Sequence, residues 1–336
     1  MKVLYIGGSG KISWRCVARS IELGHDVWAL NRASPDARRR KLLVPVQTLQ
    51  ADMRSPLSVR QALGSNQFDA IIDFTCFTPE HAAACLDLFA GRTAQYILIS
   101  STAAYQKPAA KLPYTEDTPL ANPYWPYAQN KAECEKIFHA AWQNQGFPLT
   151  VVRPGHTYDT IIPTAVGNAD WTIPARLLAG KPIPLHGDGT TLWTLTHSDD
   201  FARALVQLIG NPASLGQVFH ITSDEWLTWR QIMRILAQAL SAPEPEFVFV
   251  SSAEIFHRDP WLGQTITGHK AWCDIYDNSR IKKFLPSWQA QIPFSQGIRT
   301  TLDWFHQDPV RKKVDARLDV FLNQLCVDFQ IKTRLM

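Results

Sequence analysis

Short apolar runs alternate with stretches of helical periodicity through the first two-thirds of the chain. The run Val3-Leu4-Tyr5-Ile6 breaks into Gly7-Gly8-Ser9-Gly10 and resumes as a helical pattern from Ile12 to Leu23, closed by Gly24. Further strands are predicted at Asp26 to Leu30, Val46 to Leu49, Ala70 to Phe74, Tyr96 to Ile99 and Leu149 to Val152. Between them lie helical stretches at Leu57 to Leu63, Pro79 to Phe89 and Tyr127 to Gln143. Repeated strand–helix units with nearly unbroken apolar strands predict an α/β fold, a Rossmann-type doubly wound parallel sheet with helices on both faces. His197 to Leu208 and Val218 to Ile221 read as a helix and strand returning to that sheet, whereas Trp171 to Leu185 and Leu227 to Gln307 do not continue the pattern. They predict a smaller, discontinuous α+β substrate lobe. The expected division is 1–158 with 194–224 for the nucleotide-binding domain, 159–193 with 225–309 for the lobe, and 310–336 for a tail. Val314, Leu318, Phe321, Leu322 and Leu325 give that tail one apolar helical stripe, suited to packing on the body or on a partner subunit.

In such a sheet, ligands bind beyond the carboxyl ends of the strands. Gly7, Asn31, Asp52, Phe74, Ser101 and Pro154 all fall there and should line one crevice. Small residues at Gly7, Gly10 and Ser13 let a phosphate approach the backbone at a helix N-terminus, with Lys11 and Ile12 beside it. The turn is not a Walker loop, because Ile12 follows Lys11 where Ser or Thr is required.

Tyr127 and Lys131 stand four residues apart, on one face of a helix. A cation one turn from a phenol favours the phenolate, so the pair suits proton transfer to and from a substrate oxygen. Ser101, at the end of a strand, can hold that oxygen by a hydrogen bond.

With 336 residues, 46% of them hydrophobic, the chain can bury a large core. Six scattered cysteines with no C-x-x-C spacing read as reduced packing residues of a cytoplasmic protein. Neither a signal peptide nor a membrane-spanning run is expected. A net charge of +4 makes no general case for nucleic acid, and the ten histidines lack metal-ligand spacing.

The ordered set Gly7/Gly10, Asp52-Met53-Arg54, Ile99 to Tyr105, Tyr127-x-x-x-Lys131, Arg153 to Tyr158, Gly187-Asp188-Gly189 and His197 to Asp200 resembles the extended short-chain dehydrogenase/reductases, the NAD-dependent epimerase/dehydratase family. The resemblance runs to about residue 305. It implies a nicotinamide cofactor and redox chemistry on a sugar-like substrate. Ser101, Tyr127 and Lys131 would be the catalytic set, with Lys131 also holding the cofactor ribose. Asp52 and Met53 would meet the adenine, Phe74 and Thr75 would pass over the cofactor, and Pro154 and His156 would lie beside the nicotinamide. Thr102, His156 and Trp193 would face the substrate, and Trp171, Trp261 and Trp272 could also offer sugar-stacking faces. A homodimer is expected through the helices Pro79 to Phe89 and Tyr127 to Gln143, where Ala82, Ala83, Ala84, Ala132 and Ala140 would permit close packing.

Departures from the family pattern refine these expectations. Ser13 stands at the third glycine of the turn, and Trp193 stands where nucleotide-sugar enzymes carry a diphosphate-binding arginine. A free or simply substituted sugar, a cyclitol or another polyol therefore competes with a nucleotide-linked substrate. Dehydration is not expected, because Thr102-Ala103-Ala104 replaces the Asp-Glu pair that follows the catalytic Ser/Thr of the family's dehydratases. Asn31 stands where NAD enzymes commonly carry an acid, and Arg32, Ser34 and Arg38 to Lys41 follow; NADP is favoured over NAD. The competing class is an RNA-binding branch of the same superfamily, which the Leu30-Asn31-Arg32 strand end and the altered Gly-Asp-Gly segment also resemble.

Overall fold

The computed structural model describes residues 1–32 and 46–333. Ser34 and Arg38 to Lys41, which entered the cofactor expectation, lie outside the described residues. The strands are β1 (Lys2–Ile6), β2 (Asp26–Asn31), β3 (Gln47–Gln50), β4 (Ala70–Asp73), β5 (Tyr96–Ile99), β6 (Leu149–Pro154), β7 (His156–Tyr158), β8 (Ile183–His186), β9 (Leu192–His197), β10 (Val218–Ile221), β11 (Trp226–Thr228) and β12 (Phe247–Val250). Seven form one parallel sheet in the order β10-β6-β5-β4-β1-β2-β3.

Side chains of β1 alternate between the two faces, as a strand covered on both sides requires. Val3 and Tyr5 join a cluster with Cys16, Val17 and Phe201, while Leu4 and Ile6 join Val59, Leu63 and Phe89 on the other face. Helices Ser13–Glu22 and Ser198–Leu208 cover the first face. Pro56–Leu63, Pro79–Phe89 and Pro126–Gln145 cover the second. Strand order reverses at β1, with β2 on one side and β4 on the other, which opens the crevice directly above the glycine turn.

The remaining chain forms a lobe with two small sheets, β11-β9-β7 and β12-β8. Its core gathers Trp193, Trp229, Ile232, Leu236 and Phe294 around these strands. The tail helix Ala316–Thr333 packs on this body through Leu318, Leu322 and Leu325, each at most 6% exposed. Ala82, expected on an outward face for dimerisation, is fully buried in the sheet-side core, because its helix turns that side to the strands. Ala83 and Ala140 are exposed.

Candidate active site

Beyond β1 the chain reverses at Gly7, whose φ of +79° favours glycine. A Cβ there would stand 2.6 Å from Thr75 Cγ2, so two loops of the crevice meet over this residue. Ser13 Oγ donates to Gly7 O at 2.5 Å and accepts from Gly10 N–H at 2.9 Å, so the serine at the third glycine position ties the turn closed. The helix Ser13–Glu22 starts with no side-chain cap at Ile12. Trp14 N–H donates to Gly10 O at 3.3 Å, and the helix end without a capping side chain suits a phosphate. Glycine cradle and uncapped helix together fit the pyrophosphate of a dinucleotide.

A cleft of about 470 Å³ runs from this turn along the carboxyl edge of the sheet. Gly7, Gly10, Lys11, Ile12, Asn31, Arg32, Asp52, Met53, Phe74, Thr75, Ser101, Tyr127, Lys131 and Pro154 all line it. Asn31 Oδ1 accepts from Ser9 N–H at 3.2 Å and Ser9 Oγ–H at 3.1 Å, which leaves its amide N–H groups as the side chain's contribution to a ribose. Asp52 is held down to about 2 by hydrogen bonds from the Arg54 side chain and backbone. Asp73, fully buried at the end of β4, accepts from Thr75 N–H at 2.6 Å and Tyr96 Oη–H at 2.7 Å. It shapes the Phe74–Thr75 loop.

Lys131 is 2% exposed, and its ammonium donates to Cys76 O at 2.6 Å and Ile99 O at 2.9 Å. These carbonyls belong to the loop after β4 and the end of β5, so one side chain joins the helix Pro126–Gln145 to both. Tyr127, in the first turn of Pro126–Gln145, is half-buried with its ring 6.4 Å from Phe77 and 4.7 Å from Trp125. Ser101 caps the short turn Thr102–Ala104, accepting from Ala103 N–H at 3.2 Å.

Three expected substrate or cofactor contacts are placed differently. Thr102 is buried, and its hydroxyl accepts from Tyr276 Oη–H at 2.7 Å. Trp193 is fully buried, 5.0 Å from Trp229, and does not line the cleft. His156 lies just past the lining residue Gly155; burial lowers it to about 3, with the nearby charges of Lys270 and His269 adding to the effect. Of the other tryptophans, Trp171 is a core residue, Trp261 is 64% exposed, and Trp272 stacks on Tyr124 at 5.8 Å.

The structure also adds residues with no local signal. Asn122 Nδ2 donates to both Ala103 O and Gly268 O at 2.7 Å, tying the Ser101 turn to the lobe segment Ile266–Lys270. Tyr276 lies against Gly155, 3.3 Å from where a Cβ would stand. These contacts put the lobe beside the turn that carries Ser101. Ser9, Phe77 and Gly155 also line the cleft.

Residues 3–222 match the sequence profile of the NAD dependent epimerase/dehydratase family. The chain belongs to this family. It is an enzyme of the extended short-chain dehydrogenase/reductase type. A 2'-dehydrokanamycin reductase of Streptomyces kanamyceticus is 29% identical over 296 residues, covering 86% of this chain and 80% of that protein. The chloroplast stem-loop binding protein of 41 kDa b of Arabidopsis thaliana is 26% identical over 263 residues, 75% of this chain and 67% of that one. An epimerase from Methanothermobacter thermautotrophicus has the same fold, with a TM-score of 0.77 at 16% identity over 93% of this chain and 94% of that one. Among the described residues no helix is long and apolar enough to cross a membrane.

Proposed function

We propose that this family member carries out oxidoreduction at a carbinol or keto carbon of a sugar-like substrate, as an epimerase or as a dehydrogenase/reductase. The observation that carries this reading is one cleft lined by Ser101, Tyr127 and Lys131 at one end and by the Gly7–Ile12 cradle at the other. A nicotinamide, when bound, supplies or takes up hydride at the reacting carbon. Tyr127 Oη moves the proton of the substrate oxygen, and Ser101 Oγ holds that oxygen. Lys131 sets a positive charge one turn from the phenol and presents an N–H to the cofactor ribose. Its two carbonyl contacts keep the ammonium in place between turnovers.

Asn31 and Arg32 favour NADP over NAD, because the strand end lacks a carboxylate to repel a 2′-phosphate. The turn Thr102-Ala103-Ala104 offers no acid to protonate a departing hydroxyl, so dehydration is not part of the activity. A homodimer in the reducing cytoplasm fits the exposed alanines Ala83 and Ala140 and the six free cysteines. An RNA-binding role without catalysis is disfavoured by the retained catalytic trio.

The test is Tyr127→Phe. Turnover should fall by roughly 10² to 10⁴ with cofactor affinity nearly unchanged. Wild-type turnover in that variant would sink the mechanism.

A further inference from the structure

A second cleft, of about 720 Å³, lies between the loop that follows β7 and the segment that leads into the tail helix. Residues 160–161 and 168–170 supply one side and residues 310, 311 and 313–317 the other, with Lys11, Trp304 and Phe305 completing the lining. Ser101, Tyr127 and Lys131 take no part in it. Lys11 alone lines both this space and the cofactor cleft. The tail wall lies outside the stretch 3–222 that matches the family profile, so it is not part of the shared catalytic framework.

Four cations line this cleft, Lys11, Arg311, Lys313 and Arg317, against two acids, Asp170 and Asp315. Both acids are turned to the chain: Asp170 accepts from Thr172 N–H at 2.9 Å, and Asp315 from Arg317 N–H at 3.0 Å, Leu318 N–H at 3.1 Å and Asn168 Nδ2 at 3.4 Å. Neither forms an ion pair among the described residues. Arg311 Nη1 donates to Trp304 O at 2.6 Å with the guanidinium 4.2 Å over the Trp304 ring, while Nε is buried with no hydrogen-bond partner and stands 3.7 Å from Asp308. The side chains of Lys313 and Arg317 are exposed and meet no hydrogen-bond or ion-pair partner among the described residues.

Like charges gathered around one concave space focus a positive field on it. Ammonium and guanidinium groups can only donate, so an occupant has to bring acceptors. The hollow is of a size that holds a small organic molecule, and Ile161, Val310 and Val314 give its lining an apolar share. We propose that this cleft binds a small multivalent organic anion, a polycarboxylate or a phosphate ester, at a site separate from the catalytic one. Arg311, held by its carbonyl and ring contacts, presents charge with little side-chain freedom left to lose, and Lys313 and Arg317 add charge from the rim. The site is independent of the reaction assigned to the other cleft.

Isothermal titration with citrate, inorganic pyrophosphate and acetate tests this. The protein is first saturated with whichever of NADP and NAD binds it more tightly, so that the glycine cradle is filled. Citrate or pyrophosphate should bind at a single site at least about tenfold more tightly than acetate, and the one that does identifies carboxylate or phosphate as the source. The double variant Lys313→Glu with Arg317→Glu should weaken that binding about tenfold or more and leave cofactor affinity unchanged. Lys136→Glu with Lys283→Glu lowers the net charge equally at two exposed positions that do not line the cleft, and should leave anion affinity within about twofold. No preference over acetate, binding that survives the cleft variant, or an equal loss in both double variants overturns the proposal.

Discussion

Removing Arg153 should unfold the sheet domain far more readily than removing the ion pair it belongs to. Arg153 lies in β6, 5% exposed, and its guanidinium donates to Glu135 at 2.6 to 3.2 Å, to Tyr105 Oη at 3.0 Å and to Glu116 O at 2.8 Å. Glu135 is 1% exposed and lies one turn beyond Lys131 on the helix Pro126–Gln145. Arg153→Met leaves that carboxylate buried and uncompensated, which costs about 3 to 5 kcal/mol. Glu135→Leu strands the guanidinium in the same way and should cost a similar amount. In the double variant neither charge remains. Glu116 O has still lost a donor and Tyr105 one of its partners, Nε2 of His220 being the other, so a loss of about 1 to 3 kcal/mol is expected. The two substitutions should therefore be strongly non-additive, by about 3 kcal/mol or more. Urea unfolding followed by tryptophan fluorescence and by circular dichroism measures all four proteins. Single variants that lose under about 1 kcal/mol, or a double variant that loses the sum of the two, would refute the reasoning.

Gly7→Ala places a methyl group 2.6 Å from Thr75 Cγ2 at a φ of +79°, so the phosphate turn or the Thr75 loop must move. Cofactor affinity should drop at least about tenfold, and an unchanged dissociation constant would show that the cradle does not hold the cofactor. Arg32→Ala should weaken NADP by about tenfold and leave NAD nearly unaffected; tighter binding of NAD than NADP by the unaltered protein would reverse the cofactor preference. Burial, aided by nearby cations, lowers His156, His186 and His220 to about 3. Unfolded histidines take up protons below about 6.5 while these three stay neutral in the fold, so their contribution is complete above that pH and is lost as pH falls towards 3. Each should remove about 2 kcal/mol by pH 5, and a urea midpoint that does not fall between pH 7.5 and pH 5 would contradict it.

Elements with strong local signals were legible in the sequence. The strand Tyr96–Ile99, the strand Val218–Ile221 and the helix Pro79–Phe89 have the bounds their patterns predict: the first strand is buried along its whole length, and the helix is opened by Thr78, which accepts from His81 N–H, with Pro79 at its first position. Cleft residues at strand ends were legible for a related reason: in a parallel sheet the carboxyl edge is set by chain direction alone, so Asn31, Asp52, Phe74 and Ser101 reach the same crevice whatever the loops do. The helix Pro126–Gln145 runs two residues past its expected end, to where Gly146 adopts a φ of +67° and closes it.

What stayed hidden was set by contacts between distant segments. Thr102 follows Ser101 directly, which made it a natural substrate contact, yet its hydroxyl is taken by Tyr276 from the lobe. Trp193 carries the same lesson with a different sign. Sequence position identified a lost arginine and suggested an exposed indole, but a side chain so large and apolar gains more by burial against Trp229 than by lining a wet cleft. Motifs at the strand ends therefore locate the cleft, while the geometry of the lobe is made by long-range pairs that leave no periodic trace. This is why the expected cofactor contacts reach the cleft more completely than the expected substrate contacts, Thr102 and Trp193 being held in the interior instead.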